Sequence, residues 1–271
     1  MRAGRDVDHV AIVTGANHGI GAATAATLAA GGTGVLVSYY QVRDEPDPSI
    51  PETYRERRAA GAEQVVADIR AAGGRAVAVE ADLRDPSAAA RLFDTAEAEL
   101  GPVDILVNNA SGWVQDTFST ATQDQVGRTM QPVTEETWSQ QFAVDAMAPA
   151  LLIGEFARRH AARGARWGRI VGLTSGGDLG FPNEVSYGAA KAAQTSYTMS
   201  AAVELADLGV TANVVHPPVT DTGWVTDEVR DFVRSSQTHV HVATPEQVAE
   251  VIAYLVSDAA ALVTGNVLTL R

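Results

Sequence analysis

Three side chains in the second half of the chain carry groups suited to moving a proton at an oxygen: the hydroxyl of Ser175, the phenol of Tyr187 and the ammonium of Lys191. Tyr187 and Lys191 are four residues apart at the start of an Ala-rich stretch, 186–208, that predicts a helix, so both project from one face. A free phenol titrates near pH ~10, too high for efficient proton exchange at neutral pH. An ammonium close by favours the phenolate and lowers that value. Tyr187 then suits general acid/base work on an alcohol or carbonyl oxygen, with Ser175 hydrogen-bonding the same oxygen and Thr174 as its substitute.

A second constellation lies near the other end. Thr14-Gly15-Ala16-Asn17-His18-Gly19-Ile20-Gly21 follows an apolar segment and opens a helical one. Glycine admits the backbone angles of a sharp strand-to-helix turn. Bare glycines also let a pyrophosphate approach the exposed N–H groups at the positive end of the helix dipole. In that context the turn predicts dinucleotide binding. The spacing is GxxxGxG rather than the commoner GxGxxG.

The elements that must position these groups alternate along the whole chain. Residues 9–14, 34–40, 75–80, 103–107, 169–174 and 210–216 are short and rich in β-branched residues, and 265–270 is a candidate seventh strand. Their near-continuous apolarity suits parallel strands covered on both faces. Between them, 20–31, 52–72, 87–100, 135–163, 186–208 and 245–257 read as helices. Asp85-Pro86 and the capping box Thr244-Pro245-Glu246-Gln247 mark two helix starts. The pattern predicts one α/β domain over 1–271: a Rossmann-type, doubly wound parallel sheet of about seven strands with helices on both faces. Two insertions interrupt it, near 41–51 and 111–132; the second is long enough to build or cover a binding site.

With 46% hydrophobic residues among 271, the chain can fill a sizeable core. Its net charge of −13 argues against nucleic acid and anionic membrane as partners. There is no cysteine, and no apolar run approaches the ~18 residues of a membrane helix. Residues 1–8 lack an apolar signal core, and the expectation is a cytoplasmic protein. No metal site is expected: His216, His239 and His241 lack the spacing and acidic partners of a ligand set.

In order along the chain, the motifs resemble those of the short-chain dehydrogenase/reductase family. Beyond the glycine turn, Asp82-Leu83 follows the third strand, Asn108-Asn109-Ala110 ends the fourth, and Ser175 follows the fifth. Tyr187-Gly188-Ala189-Ala190-Lys191 resembles the YxxxK signature, and Pro217 through Thr222 resembles the segment that folds over the nicotinamide. The resemblance implies an enzyme with Ser175, Tyr187 and Lys191 as catalytic residues, Lys191 also holding the nicotinamide ribose. It implies cofactor contacts at Gly15, Asn17, His18, Gly19, Ile20, Gly21, Tyr39, Asp82, Leu83, Asn109, Ala110, Tyr187, Lys191, Pro217, Thr220 and Thr222. It also implies a homodimer or homotetramer built on the helices 135–163 and 186–208. The chain departs from the family in four places. Ser175 and Tyr187 are twelve residues apart, one fewer than in close relatives; NNAG reads NNAS; Pro-Gly reads Pro217-Pro218; and the helix asparagine that anchors a relay water is Asp145. Asp145 is either a modified relay or a plain helix residue, in a helix that Pro149 should disturb.

The second strand ends Ser38-Tyr39-Tyr40-Gln41, without the acidic residue that would select NAD, while Arg43 lies just beyond and His18 stands in the turn. NADP(H) is therefore the favoured cofactor and NAD(H) the alternative, since Asp44 and Glu45 could neutralise Arg43. Trp113, Phe118, Phe181 and Trp224 lie on the candidate pocket segments and suit an apolar or ring-containing small molecule, though they could equally pack loops against the sheet. The leading expectation is a 3-oxoacyl/carbonyl reductase-like enzyme interconverting a ketone and a secondary alcohol. Two rivals stay open: an NAD-dependent alcohol, sugar or steroid dehydrogenase, and a dinucleotide-binding scaffold or sensor that has lost catalysis.

Overall fold

The computed structural model describes residues 9–43, 47, 49–177 and 179–271; the polar segment 1–8 and the pair Asp44 and Glu45 lie outside the described residues. The seven strand-like segments form one parallel sheet. Its strands are β1 (Val10–Val13), β2 (Gly34–Tyr39), β3 (Ala76–Glu80), β4 (Ile105–Asn108), β7 (Gly168–Leu173), β8 (Val210–His216) and β9 (Val267–Thr269), in the order β3-β2-β1-β4-β7-β8-β9. The order reverses between β1 and β4, and an open α/β sheet offers its binding crevice at such a reversal, beyond the carboxyl ends of the strands. The two short strands β5 (Asp116–Thr117) and β6 (Gln131–Pro132) pair with each other inside the expected second insertion.

Each face of the sheet carries its own core. On one side Val13, Val35 and Val171 meet Leu28 of α1 (Gly19–Ala30) and Ile252 of α9 (Pro245–Leu255). On the other, Ile12, Leu106 and Ile170 meet Phe93 of α4 (Ala88–Glu99) and Phe156 of α6 (Ala148–Ala162). A fully buried side chain of this size contributes roughly 1.5–3 kcal/mol. These two cores fix the carboxyl edge on which the functional groups stand.

The helices differ from expectation in instructive ways. The stretch 52–72 is two helices, α2 (Glu52–Ala59) and α3 (Glu63–Ala71), because Ala60 takes an extended ψ of 150° before Gly61. The stretch 135–163 divides into α5 (Glu135–Phe142), a π-helical turn at Ala143–Met147, and α6. Pro149 has no N–H to return to the Asp145 carbonyl and its ring crowds that carbonyl, so the backbone widens just before it. The remaining helices are α7 (Val185–Glu204) and α8 (Asp227–Ser235), the latter unforeseen. Thr244 and Gln247 form the expected capping box on α9. Asp85 does not cap α4, which starts at Ala88 after Ser87; its carboxylate accepts from Ser87 N–H at 2.9 Å within the preceding turn. Among the described residues, no helix is long and apolar enough to cross a membrane.

Candidate active site

The glycine turn is built to leave backbone donors uncovered. Thr14, buried at the end of β1, accepts from the N–H groups of Asn109 and Ala110 at 3.0 Å each, and so ties the turn to the end of β4. The Asn109 side chain donates to the carbonyls of Thr14 (2.8 Å) and Gly15 (2.9 Å); it shapes the turn and its amide is spent there. Gly15 has φ +62°, and a Cβ on it would lie 2.7 Å from Ala110 Cα. Gly19 has φ +57°, and its Cβ would meet Thr222 at 2.8 Å. A Cβ at Gly21 would fall 2.3 Å from the Gly15 carbonyl. His18, at the N-cap of α1, makes no side-chain capping bond, and the first turn carries no acidic residue. The free N–H groups and helix dipole therefore suit a pyrophosphate, and the residues present fit a dinucleotide.

Beside the turn lies a cavity of about 300 Å³ lined by Ser38, Tyr39, Asp82, Leu83 and Arg58 among others, where an adenosine would sit. Asp82 is clamped by Arg84 at 2.7 Å. Arg43 is not part of this cavity: it is exposed and donates to Gln41 at 3.5 Å. Its place is taken by α2, which the sequence did not connect with the site. Asn17 donates to the carbonyls of Arg57 (3.3 Å) and Ala60 (2.8 Å), so the end of α2 is held against the glycine turn. Burial first, then the Arg58 and Arg57 guanidiniums, lowers the His18 pKa to about 4, leaving a neutral imidazole at neutral pH.

At the ends of β7 and β8 the second cavity opens, of about 660 Å³. Ser175 and Tyr187 both line it, with the serine close enough to act on the phenol. Thr174 is not a substitute for Ser175, because its hydroxyl donates to the Lys191 carbonyl at 3.3 Å and accepts from Thr195 at 3.0 Å. Lys191 is buried, with Nζ 2.9 Å from Asp145 Oδ1 and 3.0 Å from Gln194 Oε1. The other Asp145 oxygen accepts from Gly112 N–H at 2.8 Å. The π-helical turn thus brings Asp145, 0% exposed, against the Lys191 ammonium.

The expected lowering of the Tyr187 pKa is reversed. Burial raises it well above the ordinary phenol value, Asp145 and Glu184 raise it further, and the Ser175 hydroxyl opposes them. The ammonium expected to favour the phenolate is itself paired with a carboxylate.

Trp113, Phe181 and Trp224 line the large cavity, as do Pro217, Thr220 and Thr222. Phe118 does not: it is 84% exposed on the insertion. The insertion contributes Arg128, which pairs with Asp124 at 2.7 Å and Glu184 at 2.8 Å and lies about 6 Å from the ring centres of Trp113 and Trp224. Glu184 also accepts from Trp113 Nε1 at 2.7 Å. No local motif announces this cluster, since Arg128 and Glu184 are 56 residues apart; only the length of the insertion hinted at it.

A parallel sheet whose first turn fits a dinucleotide, followed by serine, tyrosine and lysine converging at the other end of the same crevice, defines a nicotinamide-type oxidoreductase fold. The chain belongs to the short-chain dehydrogenase/reductase family and is an oxidoreductase of that class. The family model for enoyl-(acyl carrier protein) reductases matches residues 15–270. A cis-4-hydroxycyclohexanecarboxylate dehydrogenase of Sinomonas cyclohexanicum is 36% identical, over 96% of this chain and 94% of that protein. A 3-oxoacyl-[acyl-carrier-protein] reductase of Synechocystis sp. is 33% identical, over 95% and 93%. Among solved structures, the angucycline C-6 ketoreductase LanV with bound NADP superimposes with a TM-score of 0.77 at 29% identity, covering 99% of this chain and 96% of that one.

Proposed function

We propose that the chain is an NADP(H)-dependent reductase that interconverts a cyclic ketone and a secondary alcohol, with Tyr187 as the general acid/base. The observation that carries this reading is the continuity of the two cavities. Ile20, Tyr54, Ser111, Trp113 and Thr222 line both, so a dinucleotide laid over the glycine turn extends into the space before Ser175 and Tyr187. The nicotinamide, when bound, supplies or accepts a hydride. Ser175 orients the substrate oxygen, and Tyr187 gives it a proton in reduction or removes one in oxidation. The indoles of Trp113 and Trp224 with the Phe181 ring favour a ring-bearing substrate. The names of the cyclohexanecarboxylate and angucycline relatives point the same way.

NADP(H) is favoured because β2 ends without a carboxylate while Arg58 lines the cavity beside it. Arg58→Ala should weaken NADPH binding at least about tenfold and NADH binding little, measured by cofactor fluorescence. The exposed apolar residues Trp138, Leu151, Tyr197 and Val203 on α5, α6 and α7 support a homodimer or homotetramer, which sedimentation velocity would decide. The deciding experiment is NADPH oxidation over a panel of cyclic ketones and linear acyl thioesters. Tyr187→Phe should cost on the order of 10²–10⁴ in turnover while NADPH affinity is retained. Tight NADPH binding without turnover on any member of the panel would favour the sensor instead.

A further inference from the structure

The ion pair between Asp145 and Lys191 gives the site a property that the Ser175–Tyr187–Lys191 arrangement alone would not have. Lys191 is 2% exposed and Asp145 fully buried, so neither charge is dissipated by water. Lys191 Nζ lies 5.7 Å from the centre of the Tyr187 ring, close enough for its charge to act on the phenol. Asp145, 2.9 Å from that ammonium, opposes this at the source. The pair is fixed from both sides: Gly112 N–H holds the second carboxylate oxygen, and Gln194, which donates to the Asn108 carbonyl at 2.9 Å, holds the ammonium. Besides Asp145, the carboxylate that acts on Tyr187 is that of Glu184. Glu184 comes from the start of α7, Tyr54 from α2, Phe181 from the preceding loop, and Ser175 from the end of β7. The charge of Glu184 is met by Arg128 at 2.8 Å, which leaves Asp145 as the carboxylate that decides the balance at the phenol.

We infer that Asp145 is a positioning residue that, by cancelling the Lys191 ammonium, holds Tyr187 in its neutral, proton-donating form at neutral pH and so sets the pH at which the phenol changes from proton donor to proton acceptor. In reduction, the proton leaves Tyr187 Oη for the substrate oxygen as hydride adds to the carbonyl carbon, and the resulting phenolate is reprotonated from solvent. An alkoxide is far more basic than a phenolate, so this transfer stays downhill with a weakened acid. Oxidation needs the phenolate beforehand, and that is the species Asp145 disfavours. The overall equilibrium is untouched; only the pH at which each direction runs well is moved.

This inference rests on the proposed reductase chemistry, yet one arm of its test does not require turnover. The near-ultraviolet tyrosinate absorbance of the protein without nucleotide, corrected with the matching Tyr187→Phe variant, reports the titration of Tyr187 alone. Asp145→Asn should move that inflection down by about one pH unit or more. In the NADP⁺-driven oxidation of a secondary alcohol, which needs the phenolate and so rises with pH, the same variant should carry the acid limb of kcat/KM to lower pH by a similar amount. Loss of a merely structural contact would lower stability and leave both inflections in place. If Asp145→Asn does not fold, Asp145→Ser removes the carboxylate with a smaller polar side chain and carries the same expectation. An inflection that stays put, or rises, in the folded variant overturns the inference. A wild-type protein without turnover on any carbonyl would sink the reductase reading while the absorbance titration still decides this one.

Discussion

Single residues divide by whether their surroundings can be read locally. Tyr187, Lys191 and the glycines announce themselves because their partners are near in sequence or follow a strand. Asp145 does not, because its meaning comes from an ammonium 46 residues away. His18 shows the consequence of burial for one titratable group. Its folded pKa, about 4, lies below the unfolded value near 6.5. The unfolded chain therefore takes up the proton first as pH falls. Whatever stability depends on a neutral His18 is complete above pH ~6.5 and is lost progressively down to pH ~4, by at most about 3 kcal/mol and less where solvent reaches the ring. Urea unfolding at pH 7 and pH 5 should show a smaller acid loss in His18→Asn than in the parent. An equal loss in both would place the acid sensitivity elsewhere.

Elements were legible where a local rule fixed them. The capping box of α9 and the six longer strands stand where the pattern put them, within a residue or two. Two of the three long helical readings, 52–72 and 135–163, failed for the same kind of reason: composition records helix propensity but not the interruptions. An extended ψ at Ala60 and the missing N–H of Pro149 each break a ladder, and both breaks serve the site. One seats the end of α2 on Asn17, and the other widens the backbone around Asp145. The glycine turn is the element with the least tolerance. Gly15→Ala forces an alanine to φ near +62° and drives its Cβ to 2.7 Å from the Ala110 backbone. Thermal unfolding should report a loss of about 1–3 kcal/mol, and dinucleotide affinity should fall with it. Unchanged NADPH binding in this variant would show that the turn does not carry the cofactor.

For the whole molecule, the fold was readable because a parallel sheet must be apolar throughout, whereas the wall of the large cavity was not, because it is assembled from distant segments. Arg128 joins the insertion to the body of the protein: its guanidinium spans Asp124 on the insertion and Glu184 at the start of α7, between the indoles of Trp113 and Trp224. Asp116 reinforces the seam, accepting from Ser186 N–H at 2.9 Å and from the Thr137 hydroxyl at 2.8 Å. Arg128→Met keeps much of the apolar stem but strands two largely buried carboxylates, one of them three residues before Tyr187. Breaking a buried pair from one side costs up to about 3–5 kcal/mol, and the partial exposure of Arg128 places this case at the lower end. The loss should be local, since the sheet and both cores do not depend on the insertion. Hydrogen exchange should therefore quicken across 111–132 and at the start of α7 while β1, β4 and β7 stay protected. Substrate KM should rise more than kcat falls, because the indole wall loosens while Ser175, Tyr187 and Lys191 keep their places. The acid limb of oxidation should move up as well, the reverse of the shift expected for Asp145→Asn, because Glu184 would then face the phenol without its counter-ion. A uniform rise in exchange over the sheet would mean instead that Arg128 supports the whole fold.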